Sequence, residues 1–211
     1  MTAEPARGAG EAPEEREVKL WVGDDFAMPG LEDLGGASVA DEGERLLVAV
    51  YWDTDALDLA RAGVGVRHRN GTWTYKGRSR RDGHAVVREE REVEGCDGER
   101  LPDELRAVLA ESADLALLHP VATVQTRRRT LRISRGNESI ELVTDHVTVR
   151  DGERSAAAFS EVEVEYNRGS ENLAGAVVTR LIDGGAVVDG TAKYVRALRA
   201  LGHHPPDVWQ Q

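Results

Sequence analysis

Charged and apolar residues alternate along several β-rich segments of this chain, and the alternation restricts the folds open to it. It is clearest over residues 15–20, where Glu15, Glu17 and Lys19 take alternate positions and apolar residues follow the last two. Because successive side chains of a strand point to opposite faces, this segment predicts a strand with one charged face. On its own, such a face is typical of a strand that borders water.

The same alternation recurs later in the chain, where some segments carry mainly acidic residues and others mainly basic residues. Glu161, Glu163 and Glu165 alternate in one strand-like segment, and Arg67 and Arg69 alternate in another. Further alternating groups are Thr74 and Lys76; Arg88, Glu90 and Glu92; and Arg128 and Arg132. Like charges at alternate positions repel one another on an exposed strand. The pattern therefore favours a barrel whose charged faces line a lumen, where acids hold a hard cation and bases hold a polyanion.

The remaining elements indicate an α+β protein dominated by antiparallel sheet. The predicted strands are 15–22, 45–53, 64–69, 72–77, 84–94, 121–134, 138–144, 146–150 and 157–166. Asn70-Gly71, Gly136-Asn137 and Asp151-Gly152 mark hairpin turns between them. Apolar residues at helical spacing predict helices over 101–118, 171–185 and 190–202, with a short helix over 54–63.

Composition excludes several classes of function. The net charge of -11 argues against nucleic acid as a main partner and against docking on anionic membranes. A lone cysteine, Cys96, excludes an internal disulfide and a cysteine-based zinc site, and it suits a reducing cytosol. The chain shows no apolar run of membrane-spanning length, and its first 15 residues lack the apolar stretch of a secretion signal. We expect a soluble cytoplasmic protein.

Taken in order, the charged segments resemble the CYTH superfamily, the triphosphate tunnel metalloenzymes. Glu15, Glu17 and Lys19 resemble the Glu-x-Glu-x-Lys signature of that superfamily. The resemblance continues through GVRHRNGTWTYKG, REERE, HPVATVQTRRRTLRI, ELVTDHVTV, SEVEVEY and TAKYVRAL. It spans residues 14–202, leaving 1–13 as a predicted disordered segment and 203–211 as a tail. The fold it implies is an eight-stranded antiparallel β-barrel tunnel with helices packed on the outside.

The resemblance also implies a set of site residues. Those expected to bind the phosphates are Lys19, Arg67, Arg69, Lys76, Arg88, Arg128 and Lys193. Those expected to hold Mg²⁺ or Mn²⁺ are Glu15, Glu17, Asp145, Glu161 and Glu163. Lys19, Glu161 and Glu163 are the expected catalytic residues, the two glutamates by holding a metal that orients and acidifies the attacking water. Two alternatives stay open. Arg127 could face the phosphates in place of Arg128. Glu163 and Glu165 could form the metal pair; if they do not, Glu165 is expected to be a spectator.

By the same resemblance, the expected activity is metal-dependent hydrolysis of a triphosphate, with inorganic tripolyphosphate as the leading substrate. The alternatives are a class IV adenylyl cyclase, a thiamine triphosphatase, and a non-catalytic module that binds polyphosphate or nucleotide. The expected partner is thus a small triphosphate substrate. Neither nucleic acid nor a membrane is an expected partner, and the chain could form a homodimer. In each enzyme, fixed cations and a metal neutralise the phosphate charges, so no side-chain nucleophile is needed.

Overall fold

We describe a computed structural model of the protein over residues 14–31, 34–94 and 97–205. Residues 1–13, which the sequence predicts to be disordered, and most of the predicted tail (206–211) lie outside the described residues, as does Cys96. None of the helices in the described ranges is both long enough and apolar enough to cross a membrane.

Antiparallel strands make up most of the described chain. They are β1 (Glu14–Val22), β2 (Ser38–Asp53), β3 (Gly65–Arg69), β4 (Thr72–Lys76), β5 (Arg80–Asp82), β6 (Ala85–Glu94), β7 (His119–Arg135), β8 (Glu138–Asp151), β9 (Arg154–Tyr166) and β10 (Val187–Val188). The helices are α1 (Asp58–Arg61), α2 (Asp103–Leu109), α3 (Glu171–Asp183) and α4 (Lys193–Ala200), with a 3₁₀ turn at Leu115–Leu117.

Eight of these strands close into a barrel. Their order is β1-β9-β8-β7-β2-β3-β4-β6, and pairing of β6 with β1 completes the circuit. Two short strands pair with strands of the barrel: β5 pairs with β6, and β10 pairs with β1. The predicted eight-stranded antiparallel barrel is therefore confirmed. Closure means that alternate residues of every strand must point inward, whether or not they are apolar.

Strand register brings charged residues from different strands to the same inner level. Arg128 lies opposite Asp145 between β7 and β8, and Asp145 lies opposite Glu161 between β8 and β9. Lys19 of β1 lies opposite Glu163 of β9. Since directly opposed residues share a face, these side chains all enter the interior.

Helices α2 and α3 cover the outer face of the barrel. The apolar side of α3 meets the outward residues of β1, β8 and β9, and the fully buried Leu142 and Leu173 lie in that cluster. Leu105 and Leu109 of α2 pack against β3 and β4, where Trp73 is fully buried. This outer burial supplies the apolar core that the charged interior cannot.

Helix α4 differs from the expected arrangement because it packs against inward-facing residues. Its Leu198 lies in one cluster with Val124 and Val149. These two residues are opposite one another in β7 and β8, on the face that carries Arg128. The helix therefore covers one end of the barrel from inside its wall, and it does not lie on the outer surface.

Several predicted boundaries are wrong. Segments 138–144 and 146–150 form one continuous strand, β8, because Asp145 keeps the ladder and points inward. Strand β2 begins at Ser38, seven residues before the prediction, since its charged first half pairs with arginines of β7. The helix predicted over 101–118 ends at Leu109 and the segment resumes only as a 3₁₀ turn. The short strands β5 and β10 were not predicted.

The turn between β3 and β4 fixes the position of two inward arginines. Asn70 and Gly71 both have positive φ, 51° and 83°, as a two-residue type I′ turn requires. The predicted Asn-Gly hairpin is confirmed. Its register sets Arg67 opposite Thr74 and Arg69 opposite Thr72, so both arginines face the interior.

Candidate active site

The barrel interior contains a cavity of about 820 Å³. Its wall is made by side chains from seven strands and by the first residues of α4. Charged groups of both signs line it, in a partly enclosed space within the barrel. Electrostatic interactions in such a space are stronger than at a protein surface.

One acidic cluster is fully compensated by protein cations. Asp145, Glu161 and Glu163 are all buried, and they bring one carboxylate oxygen each to within 4.8 Å of the others. Lys193 Nζ lies 2.5 Å from Asp145 Oδ2 and 3.0 Å from Glu161 Oε1. Lys19 Nζ lies 3.3 Å from Glu161 Oε1 and also bonds Glu163.

Arg128 supplies the third cation of this cluster. Its guanidinium donates to Asp145 at 2.8 and 2.6 Å and to Glu163 at 2.7 Å. Arg196 is a more distant fourth cation, with its Nε 4.0 Å from Glu161 Oε2. We call Asp145, Glu161 and Glu163 the paired cluster.

The pKa shifts agree with this compensation. Burial alone would lower the pKa of Lys19, but the charges of Glu161 and Glu163 outweigh it and hold the pKa well above the usual value. Burial would likewise raise the pKa of Glu163, yet the nearby lysines and Arg128 hold it well below the usual value. The charges of Lys19 and Glu163 are therefore stabilised by the opposite charges around them, against the cost of burial.

A second acidic cluster has fewer cations in close contact. Glu15, Glu17 and Glu165 also bring carboxylate oxygens to within 4.8 Å of one another. Arg88 donates to Glu15 Oε2 and Glu17 Oε1, both at 2.6 Å. Lys76 Nζ lies 2.9 Å from Glu15 but is shared with another acid. Lys19 Nζ lies 3.8 Å from Glu17 Oε2 and Arg128 Nη1 lies 3.8 Å from Glu165 Oε1, and both cations lie closer to the paired cluster. We call Glu15, Glu17 and Glu165 the open cluster.

The pKa shifts around the open cluster differ from residue to residue. Burial would raise the pKa of Glu15, but Lys76 and Arg88 outweigh it and hold the pKa well below the usual value. Burial and the charge of Glu163 raise the pKa of Glu165 to about 8. Glu90 Oε2 lies 3.0 Å from Lys76 Nζ. Burial raises the pKa of Glu90; the charge of Lys76 opposes this shift and the charge of Glu15 adds to it. A cation near these oxygens would relieve the repulsion, and carboxylate oxygens are the ligands that Mg²⁺ and Mn²⁺ prefer.

Two arginines on the cavity wall have no carboxylate partner. Neither Arg67 nor Arg69 forms a salt bridge with any acid in the described part of the chain, and Arg67 Nε is buried with no hydrogen-bond partner there. Burial and the charges of Arg67 and Arg128 lower the pKa of Arg69 to about 10. The charge of Arg67, with that of Lys193, also outweighs burial to lower the pKa of Tyr51. Arg67 and Arg69 are half-buried, and Arg67 donates a hydrogen bond to the hydroxyl of Tyr51. Two adjacent guanidiniums without a carboxylate partner are a site for an anion.

The structure brings all the residues of the predicted site to one barrel interior. Those that line the cavity itself are Glu15, Lys19, Arg67, Arg69, Lys76, Arg88, Arg128, Glu163 and Lys193. Glu17, Asp145 and Glu161 lie behind them, within the two acidic clusters. Of the three consecutive arginines of β7, only Arg128 points inward, since the side chains of Arg127 and Arg129 are 61% and 60% exposed.

Sequence reasoning missed the positions of Glu165 and Glu90. The sequence leaves Glu165 open between a spectator and a metal ligand paired with Glu163. The structure places it opposite Glu17 across β1 and β9, where it completes the open cluster. Glu90 shares the inward face of β6 with Arg88 and lies opposite Lys76. Both belong to alternating groups, so the signal was present; strand order and register, which place them, were not readable from the sequence.

Comparison with known proteins agrees with this geometry. The CYTH domain family matches residues 14–183. The chain belongs to the CYTH family. The resemblance to the CYTH superfamily is therefore confirmed. Helix α4 and its Lys193 lie beyond the matched range.

Solved structures share the fold of this CYTH chain. One is a candidate adenylyl cyclase of Hippeastrum, HpAC1, described as revealing a dominant triphosphatase activity. Its sequence is 21% identical, its TM-score is 0.57, and the match covers 91% of this chain and 98% of that one. Another is a candidate adenylate cyclase of Bacillus halodurans, 16% identical with a TM-score of 0.56, matched over 85% of this chain and 94% of that one. A search of curated protein sequences found no significant match.

The raised pKa of Glu165 predicts a pH-dependent cost to folding. A carboxyl group whose pKa rises from 4.5 to about 8 on folding binds more protons in the folded state, so stability falls as pH rises through that window. Glu165→Gln is therefore expected to raise the melting temperature of the metal-free protein by roughly 2–4 °C at pH 8. At pH 5 the variant should match the wild type.

Thermal unfolding followed by circular dichroism, in the presence of a chelator, measures this difference. Glu92→Gln is the control, because Glu92 lines the same cavity and lies in neither cluster. An equal change in melting temperature at pH 5 and pH 8 for Glu165→Gln would contradict the assignment.

Proposed function

We propose that this protein is a divalent-metal-dependent triphosphatase whose substrate is inorganic tripolyphosphate. The observation that carries the proposal is the pair of unmatched arginines, Arg67 and Arg69, which face the same cavity as the open cluster. One part of the cavity wall thus lacks an anion and another lacks a cation. A triphosphate complexed with a divalent metal supplies both.

The cations of the cavity wall suit a chain of phosphates. Arg67, Arg69 and Arg128 line the same cavity, and the charges of Arg67 and Arg128 lower the pKa of Arg69. Lys76 lies on the adjacent strand, β4. Guanidinium groups bind phosphate oxygens in a bidentate fork, and lysines bind them as point charges. These groups would bind and orient the substrate and neutralise charge that develops on the transferred phosphoryl group.

The aromatic residues of the cavity favour a substrate without a base. Tyr51 and Tyr194 are the aromatic side chains that line it within the described ranges, and their rings stack on each other with centroids 5.0 Å apart. Both are 6% exposed. Neither offers a free ring face for a nucleobase, which supports inorganic tripolyphosphate over ATP.

The open cluster fits a divalent metal better than the paired cluster does. In the paired cluster Lys19, Lys193 and Arg128 already neutralise the three carboxylates. In the open cluster the nearest cation to Glu165 among the described residues is Arg128, 3.8 Å away, and burial with the charge of Glu163 raises the pKa of Glu165. Glu15, Glu17 and Glu165 would therefore hold Mg²⁺ or Mn²⁺, and Glu165 would release its proton as they do so. A bound metal supplies charge neutralisation and a more acidic attacking water.

The paired cluster then has a supporting part in the reaction. Asp145, Glu161 and Glu163 hold the ammonium groups of Lys19 and Lys193 at the cavity wall. A lysine kept charged in this way can neutralise a phosphate oxygen. Glu163 borders the cavity directly, so it is the member of the cluster that can also contact metal or water there.

A class IV adenylyl cyclase is the second candidate function. It is favoured by the likeness of the barrel to HpAC1 and to the Bacillus halodurans protein, both described as candidate adenylyl cyclases. HpAC1 is also described as having a dominant triphosphatase activity, which agrees with triphosphate hydrolysis as the first candidate. A module that binds polyphosphate without hydrolysing it is the non-enzymatic alternative.

A substrate panel tests the proposed function. Purified protein with Mg²⁺ or Mn²⁺ should release phosphate from tripolyphosphate at least about tenfold faster, by kcat/KM, than from ATP or thiamine triphosphate. Phosphate release and cyclic AMP formation are measured in parallel. Cyclic AMP as the main product of ATP would favour the cyclase, and tight binding of tripolyphosphate without turnover would favour the binding module.

Two variants separate binding from turnover. Arg67→Ala should weaken tripolyphosphate binding by roughly tenfold to a hundredfold, because a charged hydrogen-bond donor is lost from a desolvated site. Glu163→Gln should reduce kcat by at least about a hundredfold and leave tripolyphosphate affinity nearly unchanged. Calorimetry and steady-state kinetics give the two quantities. Arg127→Ala is the control, since Arg127 is exposed on the outer face. Wild-type behaviour of either site variant would contradict its assignment.

Metal binding distinguishes the two acidic clusters. Glu165→Gln should weaken Mn²⁺ binding, measured by calorimetry, by at least about tenfold, because it removes one charged ligand. Glu92→Gln removes the same charge from the same cavity wall, outside both clusters, and should bind Mn²⁺ within about twofold of the wild type. Unchanged affinity in Glu165→Gln would place the metal elsewhere.

A further inference from the structure

A buried aspartate outside the cavity joins two elements that border it. Asp53, at the end of β2, is 0% exposed. Its Oδ1 accepts from the backbone N–H of Thr54 at 2.8 Å and of Leu59 at 2.9 Å. Its Oδ2 accepts from the backbone N–H of Ala60 at 3.0 Å and from the hydroxyl of Tyr194 at 2.5 Å. All the strong acceptor directions of this carboxylate are thus used.

The two sets of donors belong to different parts of the fold. Leu59 and Ala60 belong to α1, the short helix that follows β2. Tyr194 is the second residue of α4, far away in the sequence. Asp53 therefore fastens the first turn of α4 to the α1 segment and to the end of β2. Burial and the charge of Asp53 both raise the pKa of the Tyr194 hydroxyl, so it remains a donor.

The position of Tyr194 determines where its neighbour Lys193 lies. Lys193 precedes it directly and extends from the first turn of α4 to Asp145 and Glu161. The residue before the helix, Ala192, has no side-chain hydrogen bond to cap that turn. The Tyr194 ring stacks on Tyr51 at 15° between planes, and Tyr51 in turn faces Arg67. A shift of Tyr194 would therefore move Lys193 and, through Tyr51, change the surroundings of Arg67 on the cavity wall.

We propose that Asp53, through its hydrogen bond to Tyr194, is a positioning residue that sets the place of Lys193 in the active site. The proposal rests on the proposed function only for its kinetic consequence. Neither Asp53 nor Tyr194 has a role in the chemistry itself. Their effect on turnover passes through Lys193, so it should vanish when the lysine side chain is absent.

A double-mutant cycle with tripolyphosphate and Mg²⁺ tests the proposal. Tyr194→Phe removes only the hydroxyl and keeps the ring that stacks on Tyr51. It should lower kcat by about tenfold, the order of one hydrogen bond to a charged group, with KM changed by less than about twofold. In a Lys193→Ala background the same substitution should lower kcat by less than about twofold further. Equal losses in both backgrounds would overturn the proposal.

Two further variants make the result specific. Tyr75→Phe removes a hydroxyl from another buried tyrosine, which packs among β3, β4 and α2 and does not line the cavity, and it should keep wild-type kcat. Asp53→Asn replaces one acceptor oxygen with a donor amide, and it should repeat the kinetic pattern of Tyr194→Phe. A normal kcat in Asp53→Asn would contradict the proposal even if Tyr194→Phe were impaired.

Amide hydrogen exchange tests the same link without any catalytic assay. In Tyr194→Phe the amides of α4 should exchange at least about tenfold faster than in the wild type, while those of α3 stay unchanged. If the wild type does not hydrolyse tripolyphosphate, the proposed function fails, and the exchange result still decides whether Asp53 holds α4. Unchanged exchange in α4 would overturn the positioning proposal whatever the activity.

Discussion

Charge compensation inside a closed barrel is the constraint on which the rest of this structure depends. Closure turns alternate residues inward on eight strands, and in this chain many of those residues are ionised. Each buried charge is costly unless an opposite charge or a bound ion neutralises it. The paired cluster meets this condition with protein groups alone. The open cluster and the two unmatched arginines do not, and that imbalance is what makes the interior a site for a metal and a polyanion.

Apolar packing is displaced from the interior to two other places. One is the outer wall, where α2 and α3 cover the outward residues of the strands. The other is the barrel end, where α4 lies against inward apolar residues of β7 and β8. The second arrangement closes one end of the tunnel and carries Lys193 to the paired cluster. The element that seals the barrel therefore also completes the charged site.

Sequence patterns predicted the part of this structure that depends on alternation. Period-two spacing identified the inward residues of β1, β3 and β9, and the Asn-Gly turn set the β3–β4 hairpin. The grouping into two clusters was not predictable, because it depends on which strands become neighbours. Glu165 is the clearest example. Its sequence pattern is the same as that of an acid on an exposed strand, and its position opposite Glu17 is what makes it part of the open cluster. The predicted strand boundaries were wrong where charged residues extend a ladder, as at Ser38, and where an inward aspartate continues a strand, as at Asp145.

A crystal structure of the protein with Mn²⁺ and tripolyphosphate is the most direct measurement of this account. Anomalous scattering locates the metal independently of the phosphates. The account predicts manganese bound by Glu15, Glu17 and Glu165, with phosphate oxygens on Arg67 and Arg69 and the Lys193–Asp145 contact retained. Manganese among Asp145, Glu161 and Glu163 with the lysines displaced, or phosphates bound outside the barrel, would contradict it.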